Sequence, residues 1–253
     1  MPSPWIDRKK LISEATKFAK TNGYFLRKHA NRISGLVEMA VYNSVIDHYT
    51  QLGYTLSIQN LGPKRSFKYK SSPIGLIENF SFFIATHPET ADTISILPNT
   101  KIQSAYHNHL YYTPDVVVCS PLSTLTIPLQ GGRKHSYVEN AGLITFFEVK
   151  HLTPFPEVLF SFTGLLLEFS PAFIFRTIAT TKELIHLTPC IVFTGSASAH
   201  VQMIQKELSQ RYQINIIYNT QSTLGRIMNT NNLLKYDWED GIHQVENSEE
   251  DAG

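Results

Sequence analysis

Leu143-Ile144-Thr145-Phe146-Phe147-Glu148-Val149-Lys150 reads as a β-strand whose apolar run ends in charge. Upstream, Tyr111-Tyr112-Thr113-Pro114-Asp115-Val116-Val117-Val118 reads as a second strand with a carboxylate set against three valines. Side chains alternate between the two faces of a strand, so Glu148 and Lys150 share one face while Val149 enters the opposite layer. If the two strands are neighbours, Asp115, Glu148 and Lys150 meet at one end of a sheet. Paired carboxylates suit a hard divalent cation, which takes oxygen ligands and keeps several waters for a phosphate and a nucleophile. An ammonium beside them can orient the attacking water, while the cation stabilises charge growing on a scissile phosphate. The plain alternative is an ion pair closing a sheet end, because a lone E-x-K is common on solvated strands. Pro-Asp at the head of a valine run makes that alternative the poorer account.

Pro114-Asp115 together with Glu148-Val149-Lys150 resembles the signature of the PD-(D/E)XK nuclease superfamily. The order of elements is similar too. An acidic residue, Glu38, lies on a helix running from about Ala30 to Gln51, ahead of a first strand Tyr54 to Ile58. After Lys150 come a helix (Phe155 to Phe169), a strand (Cys190 to Thr194), a helix (Ala199 to Tyr212) and a strand (Ile214 to Tyr218). The resemblance spans residues 30 to 220. It departs in the long interval between Asp115 and Glu148, and in lacking a Gln-x-x-x-Tyr pattern on the helix after Lys150.

This resemblance implies an α/β, restriction-endonuclease-like fold, with a three-layer core in which a mixed β-sheet is flanked by helices. An N-terminal helix and inserted strands would decorate it. The implied activity is divalent-metal-dependent hydrolysis of phosphodiester bonds, as a DNA endonuclease of defence, restriction or repair, with RNA left open as a substrate. Asp115, Glu148 and the Val149 carbonyl would hold Mg²⁺ or Mn²⁺, Lys150 would position water, and Glu38 would be an accessory ligand. Breaking two strands with one site per chain calls for a homodimer, and a targeting or regulatory protein is the other expected partner. The competing readings are a nuclease-fold module that binds nucleic acid or a partner without cutting, and an interaction protein whose charges coincide by chance. The last predicts that the two motif strands are not neighbours.

A length of 253 residues, with 42% hydrophobic and 17% charged residues, fits a globular chain rather than a disordered one. No apolar run reaches the roughly 20 residues a membrane helix needs, and no basic-then-apolar leader opens the chain, so a cytoplasmic protein is expected. Cys119 and Cys190 fall in expected core strands without metal-ligand spacing, and are assigned to the core.

The net charge of +1 conceals an asymmetry. Up to position 35, eight basic residues face two acidic ones, whereas seven acidic residues and no Lys or Arg follow Tyr236. A cationic body suits a polyanionic partner. Residues 1–29 read as an amphipathic helix, 30–236 as the nuclease-like domain with an insertion around 62–108, and 237–253 as a disordered acidic tail.

Two basic segments are candidates for nucleic-acid contact. Lys64-Arg65-Ser66-Phe67-Lys68-Tyr69-Lys70 interleaves cations with rings, which can grip phosphate and stack on bases, or can form an exposed strand protected by lysine. Arg133 and Lys134 follow the Gly131-Gly132 turn of an expected hairpin that begins at Leu122. His107 and His109 read as a surface loop feature, and His151 points away from Lys150. Gly164, inside an otherwise apolar helix, suggests close approach of a neighbour.

Overall fold

The computed structural model describes residues 33–128, 134–175 and 186–219. The expected N-terminal helix, the Gly131-Gly132 turn with Arg133, and the acidic tail lie outside them. Two sheets and four helices of more than one turn build the described part. Helix α1 (Ile33–Gln51) leads into β1 (Thr55–Gln59), β2 (Phe82–Thr86), β3 (Thr93–Pro98), β4 (Lys101–Gln103), β5 (Tyr111–Tyr112) and β6 (Val116–Cys119). The hairpin β7 (Thr124–Pro128) and β8 (Lys134–Val138) precedes β9 (Leu143–Lys150). The chain then runs through α2 (Pro156–Phe169), α3 (Pro171–Phe175), β10 (Cys190–Phe193), α4 (Ala199–Arg211) and β11 (Asn215–Ile217).

Seven strands form the main sheet in the order β1-β2-β3-β6-β9-β10-β11. Pairs from β1 to β9 are antiparallel, and β9, β10 and β11 are parallel. Parallel neighbours need a crossover, and helices α2 and α4 supply the two. A smaller sheet, β5-β4-β8-β7, is built from the expected hairpin and two short strands. Among the described residues no helix is long and apolar enough to cross a membrane.

Strand alternation sorts the apolar residues into two cores. Val116, Val118, Phe147, Val149 and Val192 face one side, where Val37, Val41, Tyr42 and Val45 of α1 cover them. Val117, Cys119, Phe146, Ile191 and Phe193 face the other, against Leu159, Phe162 and Leu166 of α2 and Val201 and Leu208 of α4. The result is helix, sheet, helix, with both free cysteines inside. Burying one such Phe, Leu or Ile side chain contributes roughly 1.5–3 kcal/mol, so these two faces dominate the fold's stability.

The helix ends follow local chemistry. Gly53, at φ +88°, takes the left-handed conformation that ends α1. Pro156 occupies the first turn of α2, where its missing N–H costs nothing. Ser198 caps α4, its Oγ accepting from the Val201 N–H at 3.4 Å.

Four expectations need correction. The run Tyr111 to Val118 is not one strand: Tyr111–Tyr112 belongs to the small sheet and Val116–Cys119 to the main one. Pro114 cannot donate to a ladder, and the chain turns a corner there. The strands of 62–108 are not a decoration beside the core, because β2 and β3 lie inside the main sheet and β3 is the direct neighbour of β6. β1, expected as the first core strand, lies at the sheet's edge. Gly164 makes no close approach, since a Cβ there would meet nothing within 4 Å.

Candidate metal centre

β6 and β9 are adjacent and antiparallel, with Val116 opposite Phe147. Asp115 immediately precedes β6, and its N–H donates to the Phe147 carbonyl at 3.0 Å. Its carboxylate turns across to β9, where Oδ2 accepts from the Val149 N–H at 2.6 Å. The N–H and C=O of one strand residue point to the same edge, so the Val149 carbonyl also faces the Asp115 side. Glu148 points into the α2 layer, as Phe146 does, and is only 4% exposed. One of its oxygens accepts from Tyr112 Oη and the other pairs with Lys150 Nζ. Asp115, Glu148, Val149 and Lys150 therefore meet at one end of the central strands.

Glu38 arrives from the opposite layer, on α1. Its carboxylate is close enough to Glu148 and Asp115 to feel both charges. The gap between layers is bridged by Asn99, in the corner that joins β3 to β4. Asn99 sits at φ +43°, a left-handed conformation that asparagine tolerates better than most residues. Its N–H donates to the Asp115 carbonyl at 2.9 Å, and its side chain lies beside Glu38 and favours the ionised carboxylate. Asn99 Nδ2 is buried there, and the amide lies beside both Glu38 and Tyr69.

The electrostatics are lopsided. Three carboxylates share the site with one ammonium. Burial first, then the Glu148 and Glu38 charges, push the Asp115 carboxyl from 3.8 up to about 8, against the lowering pull of the Val149 N–H and Lys150. Burial also raises Glu38, and Glu148 adds to the effect. Tyr112 is held far above the ordinary phenol range by burial and by the Glu148 charge, so it remains a donor to that carboxylate. Such a site is short of positive charge.

Its donor set fits Mg²⁺ or Mn²⁺. Among the described residues no three His, Cys, Asp or Glu side chains close into a preformed cage. An open set of one or two carboxylates and a carbonyl, completed by water and substrate, is how Mg²⁺ is commonly held.

The basic segments are arranged otherwise than as simple grips on nucleic acid. Residues 64–70 form no strand: Pro63–Arg65 is a single 3-10 turn, and the rest is extended without a ladder. Phe67 and Tyr69 pack into the α1 core, Phe67 stacked on Phe83 at 5.5 Å, so these rings are occupied by packing. Arg65 is exposed and Lys68 half-buried, while Lys64 lies in the turn. Lys70, expected to contact phosphate at the surface, is fully buried. Lys134 is exposed at the start of β8, and Arg133 lies outside the described residues. His107 and His109 sit on an exposed loop, their rings 5.9 Å apart. His151 Nδ1 lies 3.0 Å from Thr194 Oγ1.

Sequence reading missed Tyr112 and Asn99. Tyr112 was hidden in what looked like strand filler, and Asn99 acts through a corner whose partners are set by three-dimensional topology. The Pro98-Asn99 pair was the one available sign of a turn. No family model matches the chain, and neither a curated protein nor a solved structure matches it.

Proposed function

We propose that this chain is a divalent-metal-dependent nuclease that hydrolyses phosphodiester bonds in DNA. The observation that carries the reading is the convergence of Asp115, Glu148 and Glu38, from three separate elements, around a single ammonium. The sequence of an acid-bearing helix, an Asp strand, a Glu-x-Lys strand, a crossover helix and a parallel strand supports a restriction-endonuclease-like core. Asp115, Glu148 and the Val149 carbonyl would hold the cation, with Glu38 ligating it or a water on it. When bound, the cation supplies charge stabilisation at the phosphate and lowers the pKa of a nucleophilic water.

The chain's own groups have distinct tasks in this reading. Lys150 leaves its pairing with Glu148 to orient the attacking water. Tyr112 Oη stays on Glu148 and keeps that carboxylate pointed at the site as Lys150 moves. Asn99 Nδ2 donates to a non-bridging phosphate oxygen. Cutting both strands of a duplex requires two copies of such a one-site chain.

Incubation of the full chain with plasmid, single-stranded DNA and RNA, in Mg²⁺, Mn²⁺ or EDTA, tests this directly. Cleavage is expected only with metal. Lys150→Ala should lower it by roughly 10²–10⁴-fold, the range of a lost acid–base or water-positioning group, and Asp115→Ala should abolish it. Undiminished cutting by both variants would refute the site. Tight binding without cutting under every metal would establish a non-cutting nucleic-acid module instead.

A further inference from the structure

Phe67-Lys68-Tyr69-Lys70, the extended stretch of rings and cations, is fastened to the protein by reciprocal contacts. Lys68 N–H donates to Ser81 Oγ at 2.8 Å, and Ser81 N–H returns to the Lys68 carbonyl at 2.8 Å. Side chains alternate along extended backbone, so Phe67 and Tyr69 share one side and Lys68 and Lys70 the other. The two rings face the α1 core, where Phe67 stacks on Phe83 and Tyr69 meets Tyr42 edge-on at 5.9 Å. Lys70 leaves on the opposite side and is fully buried.

Both Tyr69 and Lys70 end at Asn99. Lys70 Nζ donates to the Asn99 carbonyl at 2.6 Å and also to the Ser72 carbonyl, with the centre of the Phe80 ring 5.8 Å away. Burial, then the Lys101 charge, brings Lys70 down to about 8, which still leaves an ammonium at neutral pH. Tyr69 lies beside the Asn99 side-chain amide. Burial, then the Glu38 and Asp115 charges, hold its phenol well above the ordinary range, so the hydroxyl keeps its proton within reach of both carboxylates. Asn99 in turn meets the site twice, through its N–H on the Asp115 carbonyl and through its amide beside Glu38. A left-handed φ of +43° is costly for a residue with a Cβ and persists only where the surroundings over-determine it. The Lys70 ammonium on the Asn99 carbonyl is one such restraint.

We propose that Tyr69 and Lys70 are positioning residues of the metal centre, holding Asn99 by its amide and its carbonyl so that Glu38 and Asp115 stay aimed at the cation. The two carboxylates come from different layers, α1 and the strand end at β6, and like charges drive them apart when no cation is bound. Asn99 is the link between them, and a link fixes geometry only if it is itself fixed. Groups that orient metal ligands set affinity without touching the ion. The inference rests on the metal-centre reading, and gives these two residues a part in the geometry of the site in place of contact with a strand.

The test is the Mn²⁺ affinity of the full chain, read from the electron paramagnetic resonance of free Mn²⁺ with no substrate present, while urea unfolding in EDTA follows the fold separately. Tyr69→Phe keeps the ring, removes the hydroxyl, and should weaken Mn²⁺ binding by roughly 10–100-fold. Lys70→Met should act in the same direction. Tyr42→Phe is the control: Tyr42 Oη donates to the Ile96 carbonyl at 2.9 Å in the same core, so its loss should lower the urea midpoint and leave Mn²⁺ affinity unchanged. Asn99→Gly tolerates the left-handed backbone and keeps both main-chain bonds while deleting the amide. In that background Tyr69→Phe should bring no further loss, because the two act as one unit. Parent-like Mn²⁺ binding by Tyr69→Phe, or by a folded Lys70→Met, would overturn the proposal. Equal weakening by Tyr42→Phe, or full additivity of Tyr69→Phe with Asn99→Gly, would do the same. If Lys70→Met does not fold, the Tyr69→Phe and Asn99→Gly pair decides. A parent that binds no Mn²⁺ would refute the metal centre itself, and the proposal with it, whereas a parent that binds Mn²⁺ beside unaffected variants refutes the positioning role alone.

Discussion

At Asp115, burial and two acidic neighbours outweigh one backbone N–H and one ammonium, so the protonated carboxyl is favoured. Its folded pKa lies above the unfolded one, so between about pH 4 and pH 8 the metal-free folded chain binds more protons than the unfolded chain. Stability therefore falls as pH rises through that window. Asp115→Asn removes the penalty and keeps an oxygen for the Val149 N–H. In EDTA it should be more stable than the parent at pH 8 by about 1–3 kcal/mol, the gain vanishing near pH 4. Thermal melts across that range check it, and a destabilised variant at pH 8 would contradict the electrostatic account. Mg²⁺ should raise the melting temperature of the parent and leave Asp115→Asn nearly unmoved. Tyr112→Phe removes the hydroxyl from Glu148 and should cost about 1–2 kcal/mol in urea unfolding. Asp115, Glu148 and Lys150 were legible in the sequence because charge at the end of an apolar run is conspicuous. Tyr112 and Asn99 were not, because what they touch is chosen by the packing of the small sheet against the large one.

At the scale of elements, α2 carries an unused margin. Gly164 is exposed and helical, with nothing near the position of a Cβ, so Gly164→Ala should stabilise the chain by roughly 0.5–1 kcal/mol. Gly195, just after β10, is the opposite case. A Cβ there would sit 2.6 Å from Thr153 Cα, and Gly195 N–H donates to the Leu152 carbonyl at 3.1 Å. Gly195→Ala should separate the ends of β9 and β10 and lower the unfolding midpoint, with urea denaturation as the readout. Most strands and both crossover helices could be read from periodicity and caps. Residues 64–70 could not, because alternation of cations and rings looks the same whether the rings face solvent or a core. Their rings fill the space between α1 and β2, so the basic residues are displaced to a turn and, for Lys70, to the interior.

Across the whole molecule, the sheet centre should exchange its amide hydrogens last. β3, β6, β9 and β10 are covered on both faces, whereas β1 and β11 are the edges of the main sheet. Hydrogen exchange should rank them in that order, and early exchange in β6 or β9 would show that the site rests on a mobile platform. The sequence supplied the neighbours β6 and β9 but not the division into two sheets, since a four-residue strand can pair with many partners equally well. The pairing that was realised has a practical meaning. Val118 opposes Thr145 and Cys119 opposes Leu143, so the ladder carries an irregularity well away from Glu148. Sliding β9 by a single step would swap Glu148 with Val149, driving a carboxylate into aliphatic packing and exiling an isopropyl group to the polar corner. Misaligned chains thus cannot seat any guest there, and the stoichiometry of a guest bound at the three acids would count the properly threaded molecules in a preparation.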